Sequence, residues 1–98
     1  MGESETSTTK EFILKLYVSG ASPNSVRAIY NLKEICERHL KDNYNLEIID
    51  VYQDAALSVK EQIVALPLLV KKMPLPQRKL IGDMSDKDRV LIGLGIVS

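Results

Sequence analysis

Few side chains in this sequence carry chemistry of their own: it has one cysteine and one histidine. Cys36 and His39 stand three residues apart, which puts them on adjacent parts of one helix, and a thiol beside an oriented imidazole is a nucleophile. Cys36 also falls in step with Val26, Ile29, Leu32 and Leu40, the spacing of a helix's buried stripe, so it reads as core and His39 as a partly exposed helical residue. A lone thiol has no resolving partner, and two-thiol disulfide exchange is excluded. One Cys and one His cannot complete a zinc site without carboxylates or a second chain. Asp83, Asp86 and Asp88 have the separation of turn and helix caps rather than of a calcium loop. The loop SGASPNS precedes a helix, where backbone donors can face an anion, but it matches neither glycine-rich phosphate pattern. Lys71, Lys72, Arg78 and Lys79 form the one concentrated basic region, around a Pro-Leu-Pro turn. Two readings stand open: solvated charge guarding an edge strand, or a docking patch for an acidic protein surface.

The elements that must position these residues are clearest in the first half. FILKLYV, Phe12 to Val18, has the apolar and β-branched content of a strand buried on at least one side. Ser22 is placed to cap a helix and Pro23 suits its first position, where no donor is needed. That helix is predicted from Pro23 to about Lys41, with Asp42 and Asn43 ending it. LEIIDVY, Leu46 to Tyr52, reads as a second strand. Strand, helix and strand make a βαβ unit with parallel strands.

The second half gives conflicting signals. Ser58 and Glu61 form a possible capping box before a short helix. ALPLLVKKM, Ala65 to Met73, reads as a strand with Pro67 at its start, where a missing donor is tolerated and a cis bond is feasible. Pro74 and Pro76 bracket a rigid connection, and RKLIGD is strand-like. Ser85 to Asp88 is another capping pattern that would start a helix with Val90, Leu91 and Leu94 on one face. VLIGLGIV is also an acceptable strand, since Gly93 and Gly95 each weaken a helix by about 0.8–1 kcal/mol relative to alanine. Local preferences that disagree in this way mark either weak specification or two packings close in energy.

At 98 residues the chain has the length of one domain, read here as a flexible leader over 1–10 and one domain over 11–98. Its 45% apolar content is that of a globular protein. Thirteen Lys and Arg balance thirteen Asp and Glu, which removes the simplest electrostatic case for a nucleic-acid binder, and no aromatic interleaving supports base stacking. The polar start is not a signal peptide and no apolar run approaches the ~20 residues that span a bilayer. A cytoplasmic protein is the plain expectation, with no disulfide framework to suggest otherwise.

The runs LKLYVSG, SPNSVRAI, IIDV, ALPLL and above all RKLIGDMSDKDRVLIGL occur in an order and spacing that resemble the KaiB family of bacterial circadian clock proteins, from Ile13 to Leu94. The resemblance implies an α/β, thioredoxin-like protein with an invariant βαβ half (11–52) and a C-terminal half (57–98) able to switch fold. A ground-state βαββααβ arrangement, assembled as a homotetramer, is expected in isolation; a monomeric thioredoxin-like βαβαββα arrangement is the alternative. The implied role is a non-enzymatic clock or stress-response adaptor, without cofactor, that binds a KaiC-like ATPase, competes with a sensor kinase carrying a thioredoxin-like domain, and helps sequester KaiA. By position, Arg27, Lys71, Arg78 and Lys79 match the basic residues of partner docking or assembly. Pro67, Pro74, Pro76, Gly93 and Gly95 fall in the implied switching region, with Gly95 standing where the family commonly has Asp. A degenerate thioredoxin-fold redox protein using Cys36 and a non-switching structural oligomer are the competing readings.

Overall fold

The computed structural model describes residues 11–51 and 66–96. The leader, the capping box at Ser58 and most of the joint between the two halves lie outside the described residues. Strand β1 (Phe12–Val18) leads into helix α1 (Pro23–His39), strand β2 (Tyr44–Asp50), strands β3 (Leu68–Met73) and β4 (Arg78–Ile81), and helix α2 (Lys87–Leu94). The strands form one mixed sheet in the order β2-β1-β3-β4. β1 runs parallel to β2, Phe12 opposite Tyr44 and Val18 opposite Asp50, so the chain must cross over through α1. β3 is antiparallel to β1 and to β4.

Helix α1 starts as the sequence suggests. Ser22 Oγ accepts the Ser25 N–H at 3.3 Å and Pro23 fills the first turn. The helix ends two residues early, with Leu40 as C-cap and Lys41 at a φ of 52°. Its inward stripe is Ser25, Ala28, Leu32, Ile35 and Cys36. Val26, expected inside, is 53% exposed because it lies one position off that stripe.

Both helices pack on one face of the sheet. Leu14, Leu16 and Val18 of β1 and Leu69 of β3 meet α1 through Leu32, Ile35 and Cys36, and α2 through Val90, Leu91 and Leu94. Tyr17, Leu68 and Val70 point to the other face with Ile49, Val51 and Leu66. Full burial of each large aliphatic side chain contributes about 1.5–3 kcal/mol, which is what holds a helix as short as α2 in place.

The second half departs from expectation. Of the two arrangements the family resemblance implies, the ground-state βαββααβ was expected in isolation; the described residues instead have the thioredoxin-like order, with two strands and then a terminal helix. The physical reason lies at the helix ends. Asp86 Oδ1 accepts the Arg89 N–H at 3.2 Å and caps the start. Gly95 ends it at a φ of 81°, a left-handed conformation that glycine adopts without strain, and its N–H returns to the last turn. The burial of Val90, Leu91 and Leu94 outweighs the extended preference of VLIGLGIV. β2 also begins and ends two residues before its expected limits, and β3 starts only after Pro67.

Candidate functional site

The loop between β1 and α1 opens on a cleft of about 430 Å³ lined by Ser19, Ser22, Pro23, Asn24, Ser25 and Leu66. Ser25 sits fully buried at its floor. Its Oγ accepts the Ser19 N–H at 3.0 Å and bonds the Ser22 hydroxyl at 2.8 Å. Asp50 Oδ1 accepts the Gly20 N–H at 3.0 Å, fixing the loop to the end of β2. The hydroxyls are thus committed to shaping the turn. In the sequence Ser22 reads as a helix cap, and Ser25 passes only as part of the SGASPNS run.

The cleft holds no thiol. Cys36 is wholly buried in α1, and burial with the nearby Glu37 carboxylate pushes it up to about 12. A thiol so far from ionisation is not a nucleophile at neutral pH. His39, three residues on, is exposed, so the two do not form a catalytic pair. Among the described residues no group of three or more His, Cys, Asp or Glu is placed to hold a metal. The three aspartates serve the turn and the start of α2: Asp83 Oδ1 accepts the Ser85 N–H at 3.1 Å, Asp86 caps α2, and Asp88 lies in its first turn. No helix among the described residues is long and apolar enough to cross a membrane.

The basic residues do not share one surface. Arg27 is exposed on α1 and its Nε meets Asp83 Oδ2 at 3.3 Å. Asn31 Nδ2 adds a bond to the Asp83 carbonyl at 3.0 Å, so α1 is tied to the loop after β4. The Asp83 carboxyl is held below its ordinary value, first by its bonds to Ser85 and then by Arg27. Arg78 and Lys79 are exposed at the start of β4. Arg78 stands opposite Lys71, and Lys79 opposite Val70, so alternation sends them to different faces of the sheet.

Lys71, expected on a docking surface, is 4% exposed. Its Nζ donates to the Leu94 carbonyl at 3.2 Å, at the C-terminal end of α2. Arg78 and Lys79 therefore remain as exposed charge on a sheet edge, while Lys71 in this arrangement belongs to the interior.

The residues with expected roles in switching cluster around β3, β4 and α2. The Leu66–Pro67, Met73–Pro74 and Leu75–Pro76 bonds are cis. The Pro67 carbonyl accepts the Gly82 N–H at 3.0 Å, beside the β3–β4 pairing. Gly93 lies against Leu80 of β4 and Gly95 beside the Lys71 ammonium.

Comparison with known proteins agrees with this architecture. The family profile described as KaiB domain matches residues 15–96. The chain is 50% identical over 88 residues to the circadian clock oscillator protein KaiB of a Picosynechococcus species, covering 90% of this chain and 85% of that protein. It is 48% identical over 91 residues to the protein of the same name from Synechococcus elongatus, covering 93% and 89%. Among solved structures, the N-terminal domain of Synechococcus elongatus SasA superposes with a TM-score of 0.70 at 24% identity, covering 91% of this chain and 88% of that one. Mitochondrial thioredoxin 3 of Saccharomyces cerevisiae also superposes at 0.70, with 11% identity and coverage of 95% and 85%. These two likenesses establish the thioredoxin fold.

Proposed function

The chain belongs to the KaiB family of non-enzymatic clock adaptors, and from that premise we propose that it binds a KaiC-type ring ATPase in the thioredoxin-like arrangement described above. The observation that carries this reading is that residues 68–94 form two strands and a capped helix on the sheet, although their sequence also suits a strand ending. A thioredoxin-like shape without a thiol in its first loop is a recognition surface and not a redox centre.

In this reading the exposed Arg78 and Lys79 on the β4 edge, with Arg27 at the far end of that strand, place positive charge toward an acidic partner. Charge complementarity of this kind governs encounter rate and orientation more than final affinity. A sensor kinase with a thioredoxin-like domain would compete for the same ring, and KaiA would be a further partner. The proline and glycine positions Pro67, Pro74, Pro76, Gly93 and Gly95 would let the C-terminal half exchange this arrangement for a second, tetrameric one. A partner that binds one arrangement shifts the population toward it by its differential affinity alone.

The test is association with the KaiC homologue encoded in the same genome, followed by size-exclusion and surface binding in ATP- and ADP-loaded states and in both phosphorylation states. Binding in at least one state is expected, with slower association for Arg78→Ala combined with Lys79→Ala. Folded protein that binds in none of these states refutes the assignment.

A further inference from the structure

Lys71 is a buried lysine with an unusual setting. Its ammonium has three donors, and among the described residues one acceptor meets it, the Leu94 carbonyl at 3.2 Å. Among the described residues the neighbouring elements offer no opposite charge: β1 presents Leu14 across the ladder, β4 presents the cation Arg78, and α2 presents a main-chain carbonyl and the Gly95 backbone.

A helix C-terminus does attract cations. That attraction works against the lost hydration of an ammonium and the like charge of Arg78, and burial of a charge without an ion partner is costly. The Lys71 pKa is accordingly held below the usual lysine range, with burial as the larger cause and Arg78 as the second.

We propose that Lys71 acts as a release element beneath α2: seating the helix on the sheet desolvates this charge, so the helix is held less firmly than its apolar contacts alone would hold it. Docking and undocking of α2 is the local opening that any rearrangement of residues 66–96 must pass through. The inference concerns the free protein and stands whether or not a ring ATPase binds.

The full chain is compared with Lys71→Met, which keeps an unbranched apolar stem and removes the charge, and with Lys71→Arg, which keeps the charge at all accessible pH. The readout is native-state amide exchange at Val90, Leu91 and Leu94, referenced to Leu14 and Leu16 in the same sample. Tenfold or greater added protection of the α2 amides in Lys71→Met, without it in Lys71→Arg, is expected. Equal or lower protection in Lys71→Met overturns the proposal, since it would make the lysine a neutral contact or a clamp.

A second measurement guards against a variant that folds poorly. Because the folded-state pKa lies below the unfolded one, the unfolded chain binds the proton more readily, and α2 should become firmer as pH rises through the folded value toward 10.5. Exchange protection of the α2 amides in the wild-type chain, each rate taken relative to the intrinsic rate at the same pH, should report that rise, and Lys71→Met should lack it. A wild-type profile that is flat, or that is shared by the variant, also overturns the proposal.

Discussion

A methyl group added at Gly93 would stand 2.7 Å from Leu80 Cδ1 and 3.0 Å from Cδ2. Helix α2 therefore approaches β4 as closely as it does because position 93 has no side chain. Alanine there gains about 0.8–1 kcal/mol of helix propensity, yet the Leu80 side chain must turn aside to admit it, and crowding a packed site typically costs about 1–3 kcal/mol. The two effects oppose each other, so the informative quantity is their coupling. Gly93→Ala is expected to be more favourable in a Leu80→Ala background than in the wild type, by about 0.5–3 kcal/mol. Urea denaturation of the four proteins of that cycle measures it, and simple additivity would show that the close approach is not felt.

Ser25 supports a second expectation. It is fully buried, and its Oγ is the acceptor for the Ser19 N–H at 3.0 Å. Ser25→Ala removes that acceptor and leaves a backbone donor unpaired in the turn, a loss of about 1–3 kcal/mol. Ser25→Cys would be a poorer acceptor and is expected to fall between wild type and alanine. Thermal denaturation should give that order, and faster exchange of the Ser19 amide should identify the bond responsible.

These two sites also show what could be read before the structure. β1 was legible to its end residues because an apolar, β-branched run between polar segments leaves little choice. The start of α1 was legible from Ser22 and Pro23, which act within a few residues of where they stand. The choice of helix over strand for residues 87–94 was not, because Val90, Leu91 and Leu94 suit a helix face while Gly93, Gly95 and the β-branched residues favour extension. Contacts distant in sequence decide it: Leu80 accepting a glycine, Lys71 reaching Leu94, the core receiving three side chains. Lys71 itself misled for the same reason, since a lysine beside Lys72 signals exposure unless the element that covers it is known. The basic cluster looked continuous along the chain, and strand alternation divides it between two faces.

Cys36 allows a test with a defined pH window. Burial and Glu37 raise its pKa from 9.0 to about 12, so the native state keeps the proton where the unfolded chain releases it. Its contribution is fully present below pH 9 and is lost as pH rises from about 9 toward 12. Native protein at pH 8 is expected to react with a small alkylating reagent at least a hundredfold more slowly than protein in denaturant. Equal rates would mean the thiol is reached from solvent. Cys36→Ala should leave partner binding intact and lower stability by about 1 kcal/mol.

Asp83 extends the pH argument to the loop that carries α2. Its carboxyl is held below the ordinary 3.8 by its bonds to Ser85 and by Arg27, so its stabilising effect is present above that value and is lost as pH falls through the lower folded-state one. Acidification should therefore loosen the 82–86 loop before the sheet, seen as early chemical-shift changes at Ser85 and at the Asn31 side-chain amide. Asp83→Asn keeps the backbone carbonyl that Asn31 Nδ2 bonds at 3.0 Å but loses the Arg27 pair. The variant is expected to retain the α1 anchor while its loop shifts no longer titrate. Should Ser85 still move at the same pH in Asp83→Asn, another carboxylate controls the loop, and the tie between α1 and the segment leading into α2 is independent of Asp83 charge.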